Sequence, residues 1–185
     1  MKRSVFLFTL ISILCIRLDA QIYMAKEGST SISFFSSAPL EDIEALNKGA
    51  VIVYNATSGN IQIRVSIQNF KFKNALMEEH FNENYLESSK YPNAEFRGKI
   101  NETPDLSKDG ENNVTVSGTM DMHGVKKDVV LKGVLTKAGN LLKISSKFKI
   151  KIADYNIEVP SMYVKNIAEE VEVTINSTLE PYQKK

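Results

Sequence analysis

Apolar and polar residues alternate with a period of two over most of the chain after residue 20. The clearest stretch is Ile61, Ile63, Val65 and Ile67, which are separated by polar side chains. The same alternation recurs over residues 142–152 and 171–179. A period of two places one set of side chains on each face of a β-strand. The pattern therefore predicts strands that have one face toward a core and the other toward water.

Weaker strands are predicted between clear turn signals. The turns are indicated by Ser58-Gly59-Asn60, Asp109-Gly110 and Ala138-Gly139-Asn140. The stretches they separate cover residues 31–35, 50–55, 94–101, 113–120 and 128–136. Short strands at regular spacing with short connections favour an antiparallel barrel or sandwich. On the strand over 142–152, the polar face is rich in lysine, which suits a solvated strand that must resist pairing with other chains.

Two short helices are predicted within this all-β pattern. The first covers residues 39–47, where Pro39 opens the helix and Ile43 and Leu46 share one face with Leu40. Gly49 follows as a stop signal.

The second predicted helix follows Asn74, which is a favourable N-terminal cap. Met77, Phe81 and Tyr85 recur every fourth residue and form one apolar stripe. The pattern alone favours a helix that completes a filled core. The alternative is a helix that forms the wall or lid of a cavity for an apolar ligand, since an eight-stranded barrel has room for one.

The first 20 residues have the three parts of a secretory signal. Lys2 and Arg3 are basic, residues 5–16 are apolar, and Ala20 offers a cleavage site before Gln21. We therefore expect a signal peptide at residues 1–20 and a single domain at 21–185. Cleavage would remove Cys15, the only cysteine, so that the mature chain would have no disulfide and no thiolate.

Composition excludes several classes of function. The chain carries 23 Lys plus Arg and 22 Asp plus Glu, which argues against a nucleic-acid binder. Outside the N-terminus no apolar run is long enough for an integral membrane span. There is no glycine-rich phosphate loop and no nucleophile motif. We therefore expect no enzyme activity and no catalytic residue.

Metal and cofactor sites are not expected either. The two histidines, His80 and His123, are far apart in sequence and lack neighbours at ligand spacing, so both are interpreted as structural. Asp105 to Gly110 begins like a calcium loop, but Val116 stands where such a loop needs a glutamate. This segment is interpreted as a hairpin loop.

Two longer motifs resemble those of the YceI-like family. The first is Asn69-Phe-Lys-Phe-Lys-Asn-Ala-Leu-Met-Glu-Glu-His-Phe-Asn-Glu-Asn-Tyr-Leu-Glu87 followed by Lys90-Tyr-Pro-Asn-Ala-Glu-Phe96. The second is Val116-Ser-Gly-Thr-Met-Asp-Met-His-Gly-Val-Lys-Lys127. Segments near Phe148 and Val159-Pro160 are similar to the family's closing part. Where many relatives begin with a His-Ser pair, this chain has Gly28-Ser29-Thr30, and the resemblance covers roughly residues 30–180.

The resemblance implies an all-β, antiparallel, lipocalin-like eight-stranded β-barrel with one or two short helices. It also implies an exported bacterial protein, periplasmic or secreted, that binds a polyisoprenoid or another long-chain lipid. The apolar lining is then expected from Phe34, Ile63, Val65, Phe70, Phe72, Met77, Phe81, Tyr85, Phe96 and Phe148. The alternative function is a structural or partner-binding barrel whose core is filled by its own side chains. The expected partner is a lipid or isoprenoid ligand, and a homodimer stays open.

Overall fold

The structure is a computed structural model that describes residues 21–37, 42–159 and 168–182. The predicted signal peptide lies outside the described residues. Ten strands are present in this part of the chain: β1 (Ile22–Ser36), β2 (Ile43–Asn47), β3 (Val51–Asn55), β4 (Asn60–Ser66), β5 (Lys71–Phe72), β6 (Asn93–Ile100), β7 (Gly110–Met122), β8 (Val125–Ala138), β9 (Leu141–Lys151) and β10 (Glu170–Pro181). Helix α1 (Ala75–His80) continues into a π-helical turn (Phe81–Tyr85), and 3₁₀ turns cover Ile67–Asn69 and Ile152–Tyr155.

The strands form a closed antiparallel barrel. Neighbours pair in the order β10-β9-β8-β7-β6-β4-β3-β1, and β1 pairs with β10 to close the sheet. The N-terminal part of β1 pairs with β3, and its C-terminal part pairs with β2. β5 pairs with β2 in the same way that β4 pairs with β3. We therefore count β2 and β3 as one interrupted barrel strand and β4 and β5 as another, so that the ten segments make eight barrel strands. The predicted eight-stranded barrel is confirmed.

Asn47 connects the two interrupted barrel strands, which are β2 with β3 and β4 with β5. Its side chain is fully buried at the end of β2. The Asn47 Nδ2 atom donates a hydrogen bond of 2.8 Å to the carbonyl oxygen of Ser66, at the end of β4. Its Oδ1 atom accepts a 2.8 Å hydrogen bond from the backbone of Gly49, between β2 and β3. Because both the amide nitrogen and the amide oxygen of this buried side chain have hydrogen-bond partners, Asn47 stabilises the interruptions in both barrel strands.

One end of the barrel is packed solid. Side chains from β1, β3, β8, β9 and β10 meet there with almost no exposed surface: Tyr23, Tyr54, Leu135, Leu142 and Leu179. Burial raises the pKa of both tyrosine hydroxyls, and the proximity of Tyr23 raises that of Tyr54 further. The barrel is therefore filled at the end where β1 begins, and any internal space lies toward the other end.

The predicted helix over residues 39–47 is wrong. Residues 43–47 form strand β2, which pairs with residues 32–36 of β1. Pro39 and Leu40 lie outside the described residues. Ile43 and Leu46 have helical spacing, but Ala45 and Asn47 also alternate with exposed or half-buried neighbours, and both are buried. Pairing with β1 overrides the local preference, as tertiary context often does for short segments.

The second predicted helix is confirmed. It begins after Asn74, whose side chain accepts a 2.9 Å hydrogen bond from the backbone of Leu76. The α-helical part is short and changes to a π-helical turn at Phe81. The Asn82 side chain bonds the carbonyl oxygen of Glu78 at 2.8 Å, within this transition.

Candidate functional site

A cavity of about 430 Å³ lies at the end of the barrel opposite the packed one. Its wall is almost entirely apolar, and helix α1 and its π-helical turn contribute to it. The volume is in the range of small-molecule sites, which is about 300 to 1,000 Å³. Inward-facing residues of β9, such as Phe148 and Ile150, are only half-buried although their polar neighbours point outward. Such partial exposure is what a hollow interior produces.

All ten residues predicted as lining border this one cavity. They reach it from seven elements and one connection: Phe34 from β1, Ile63 and Val65 from β4, Phe70 from the connection after β4, Phe72 from β5, Met77 from α1, Phe81 and Tyr85 from the π-helical turn, Phe96 from β6 and Phe148 from β9. The stripe of Met77, Phe81 and Tyr85 therefore faces the barrel interior. That these side chains bind a ligand stays a prediction.

Four phenylalanines form an aromatic cluster on one side of the cavity. The Phe81 ring lies with its centroid 5.4 Å from that of Phe34, in a stacked arrangement. Its centroid is also 5.0 Å from Phe72 and 5.6 Å from Phe70. Aromatic pairs at this spacing contribute about 0.5 to 1.5 kcal/mol beyond area burial. The cluster thus fixes the helical segment against β1 and β5.

Glu78 holds the junction between β5 and helix α1. Its Oε1 atom lies 2.6 Å from Nζ of Lys71, and its Oε2 atom accepts a 3.3 Å hydrogen bond from the backbone of Phe72. The hydrogen bond from Lys71 lowers the pKa of the Glu78 carboxyl, and the backbone bond from Phe72 lowers it further. This contact orients the first turn of the helix over the cavity.

Two glycines make room for the ring of Phe96. Gly98 follows it on the same face of β6 and pairs with Gly118 of β7. A Cβ atom on Gly98 would lie 2.7 Å from Cζ of Phe96, so the ring lies directly over the Gly98 backbone. A Cβ on Gly118 would meet the Gly98 Cα at 2.5 Å. The Phe96 ring therefore packs against the backbone of β6 at the wall of the cavity.

Apart from Phe148, the side chains that strands β7 to β10 contribute to the wall were not among the predicted lining residues. Six such side chains are Met120, Met122, Leu131, Ile150, Val171 and Val173. The period-two pattern carried the signal for the last three, because each alternates with a lysine or glutamate. No sequence signal separated them from residues of a filled core.

Polar side chains at the cavity are few, and four of them already have contacts within the protein. The Ser36 hydroxyl accepts a 3.0 Å hydrogen bond from the backbone of Ala168. Glu95 contacts Arg97 at 2.8 Å and Arg64 at 3.5 Å. Asn74 is occupied as the helix cap. His80 also borders the cavity and also has interaction partners. The site is therefore suited to an apolar molecule with at most a small polar end.

His123 links two segments that cover this end of the barrel. Its Nδ1 lies 2.9 Å from the carbonyl oxygen of Tyr155, and its Nε2 lies 3.0 Å from Glu87. The His123 side chain is 8% exposed, and the Tyr91 ring packs edge-on with its centroid 4.6 Å away. Gly124, next to it in the turn between β7 and β8, has a φ of +74°. The interpretation of His123 as a satisfied structural group agrees with these contacts.

Within residues 21–37, 42–159 and 168–182, no three His, Cys, Asp or Glu side chains are arranged to hold a metal ion. In the same ranges, no helix is both long and apolar enough to cross a membrane.

A family model for the YceI-like domain matches residues 25–179. The chain belongs to the YceI-like family. The solved structures agree on the fold of this YceI-like barrel. A polyisoprenoid binding domain from Saccharophagus degradans, implicated in plant cell wall breakdown, superposes with a TM-score of 0.76 at 16% identity, over 89% of this chain and 100% of that one.

Two other solved structures are similar to this YceI-like chain. BcnA from Burkholderia cenocepacia has a TM-score of 0.70 at 15% identity, over 84% of this chain and 98% of its own. The YceI protein of Campylobacter jejuni has a TM-score of 0.59 at 18% identity, over 73% of this chain and 81% of its own. At such identities the likeness shows the fold. The comparison with curated proteins gave no match.

Proposed function

We propose that this protein binds the apolar chain of a lipid, with a polyisoprenoid as the leading ligand class, in the cavity at the hollow end of its barrel. The observation that carries the proposal is the cavity of about 430 Å³ with its almost wholly apolar wall. The polyisoprenoid binding domain of Saccharophagus degradans, which shares the fold, supports the ligand class. The binding is non-covalent and the protein has no catalytic role in this proposal.

The energetics of such binding require no charged partner. Burial of apolar surface stabilises by about 0.8 kcal/mol per methylene group. Ten immersed carbons would therefore contribute roughly 8 kcal/mol before the cost of ordering the chain. A branched polyprenyl chain suits a wall of aromatic and branched aliphatic side chains. The alternative of a self-filled core is less favoured, because the packing is dense at one end of the barrel only.

The proposal includes export. Lys2, Arg3, the apolar stretch over 5–16 and Ala20 support a cleaved signal and a mature chain that begins near Gln21. A periplasmic or secreted carrier would move lipid through water, where a closed apolar cavity is needed. Sequencing the N-terminus of exported protein tests this part, and recovery of residues 1–20 on a cytoplasmic protein would contradict it.

Solvent extraction of the purified protein followed by mass spectrometry tests the binding. We expect a long-chain isoprenoid or other lipid in the extract. After delipidation, added polyprenol should raise the melting temperature, because a ligand that binds only the folded state stabilises it. A short water-soluble alcohol is the control and should have no effect. An empty extract together with an unchanged melting temperature would leave the structural barrel as the better reading.

A further inference from the structure

The barrel wall is incomplete between β8 and β9. The hydrogen-bonded ladder joins residues 133–138 of β8 to 141–146 of β9. Beyond Gly133 and Ser146 the ladder stops, although both strands continue and all the residues concerned are described. Residues 125–132 are paired with β7 only, and 147–151 with β10 only. We call the gap between these two segments the β8–β9 slit.

Both ends of the β8–β9 slit are closed by side-chain contacts. At the inner end the Ser146 hydroxyl donates a 2.6 Å hydrogen bond to the carbonyl oxygen of Lys132. At the outer end Lys127 Nζ lies 3.0 Å from Asp154, and His123 contacts the backbone of Tyr155. The strand between Lys127 and Gly133 spans roughly 20 Å, at about 3.3 Å per residue. The gap is thus a slit with fixed ends rather than a frayed terminus.

The side chains behind the slit belong to the cavity wall. Leu131, Phe148 and Ile150 all border the cavity. Each is only half-buried, whereas Leu135 and Leu142 in the paired part of the same two strands are 2% and 0% exposed. The difference follows the end of the ladder, because an inward side chain loses its cover where the neighbouring strand separates.

Charged side chains on the outer surface of the barrel beside the slit oppose pairing with another strand. Lys147, Lys149 and Lys151 are exposed along β9. Lys147 and Lys149 make ion pairs with Glu172 and Glu170 on β10, which lie on the side away from the slit. Charged residues beside an unpaired strand edge oppose edge-to-edge pairing. On β8, Val130 is 66% exposed and offers an apolar contact at the rim.

We propose that the β8–β9 slit is a lateral entrance through which a lipid chain enters and leaves the cavity sideways. This inference rests on the proposed function. A long flexible chain that enters only at the end of a barrel must thread through it carbon by carbon. A slit of this length lets many carbons leave the water together. The strands separate slightly during passage, while the contacts at Ser146 and Asp154 keep the ends in place.

Cross-linking the slit tests the proposal. If the ladder continued in the same register, Val130 would lie opposite Lys149. Both side chains are exposed. The variant carries Val130→Cys and Lys149→Cys, with Cys15→Ser to remove the only native thiol. The two thiols are joined by oxidation, or by a short bis-maleimide where the distance exceeds disulfide geometry. The probe is all-trans-retinol, an isoprenoid alcohol whose fluorescence rises in an apolar site.

We expect the cross-linked protein to bind and release retinol at least tenfold more slowly, with little change in Kd. Where the link is a disulfide, its reduction should restore both rates. The control is Thr136→Cys with Lys143→Cys, a pair already joined within the ladder, and it should behave as the wild type does. Unchanged rates in the cross-linked slit variant would overturn the entrance while leaving lipid binding intact. A wild-type protein that binds no retinol and carries no extractable lipid would overturn both proposals.

Discussion

His123 and Glu87 are in contact at the cavity end of the barrel, where Nε2 of His123 lies 3.0 Å from Oε2 of Glu87. Both residues have a positive φ, +52° for His123 and +42° for Glu87. Such backbone conformations are uncommon outside glycine and persist where the surroundings fix them. Because the carbonyl oxygen of Tyr155 only accepts, Nδ1 of His123 is the donor in that contact. The imidazole therefore joins three chain segments around the cavity.

Replacing His123 by Ala should destabilise the fold. The change leaves the carbonyl oxygen of the buried Tyr155 without its donor, which costs about 1 to 3 kcal/mol. The lost contact to Glu87, whose side chain is 43% exposed, adds little. Glu87→Gln is the matched control, since an amide can still bond to the ring and should cost less. Urea unfolding measures both. Equal stability of His123→Ala and wild type would show that the ring does not hold the segments, and stoichiometric metal lost in this variant would contradict its structural role.

Adding a side chain at Gly124 should also lower the free energy of unfolding, for two separable reasons. The φ of +74° strains any L-residue, and a Cβ atom would lie 2.7 Å from Cε1 of Tyr91. We expect Gly124→Val to lower the free energy of unfolding by more than about 1 kcal/mol. Gly139→Ala isolates the first cause, because Gly139 has a φ of +58° and nothing within 4 Å of the added atom. Gly124→Ala should therefore cost more than Gly139→Ala in denaturant titrations.

Acid should weaken the contact that orients helix α1. The hydrogen bond from Lys71 lowers the pKa of Glu78 relative to an ordinary glutamate at 4.5. A lowered pKa in the folded state adds stability above the unfolded value, and this is lost as the pH falls through the folded value. Glu78→Gln should thus be less stable than wild type near pH 7, by roughly 0.5 kcal/mol, and the two should converge as the pH falls below 4.5 and through the lowered pKa of the folded state. Melting temperatures across this range test it, with Glu79→Gln as the control that should follow wild type.

The barrel could be predicted from the sequence because alternation is a local signal. Strand β4 alternates buried and exposed residues from Ile61 onward, and the structure has the same faces. Strand β2 could not be assigned, because Ile43 and Leu46 also fit a helix. What decides its conformation is pairing with β1 and the bonds of Asn47 to Ser66 and Gly49, which are contacts made by the folded chain.

Ten of the side chains that border the cavity could be named from the sequence, but a hollow interior could not be distinguished from a filled one. Phe148 and Leu142 have the same inward phase on β9. One borders the cavity and the other is packed at the filled end. The difference arises from where β8 and β9 separate, which has no sequence signature, and from the position of the predicted helix over that end of the barrel. Phe70, Phe72 and Phe81 were expected to line the cavity, but their packing against one another and Phe34 is a contact of the folded chain.

Phe81 gives the most direct test of the cavity as a lipid site. Its ring touches Phe34, Phe70 and Phe72 and borders the open space. Phe81→Leu keeps an apolar side chain, so we expect a loss of about 1 kcal/mol in stability together with altered retention of co-purifying lipid. Phe35→Leu is the control, because Phe35 lies on the same strand as Phe34 but is 40% exposed and does not line the cavity.

Stability and lipid content must be measured on the same preparation of each variant, since a polar change at Phe81 or Phe72 would also cost several kcal/mol in a filled core. Lipid per protein is measured by mass spectrometry after solvent extraction, and stability by thermal unfolding before and after delipidation. If Phe81 contacts the ligand, Phe81→Leu should change lipid per protein by more than its stability loss accounts for, and Phe35→Leu should leave it unchanged. Identical lipid content in both variants and wild type would exclude contact between Phe81 and the bound chain. The binding site would then be assigned to Phe148 and the later strands.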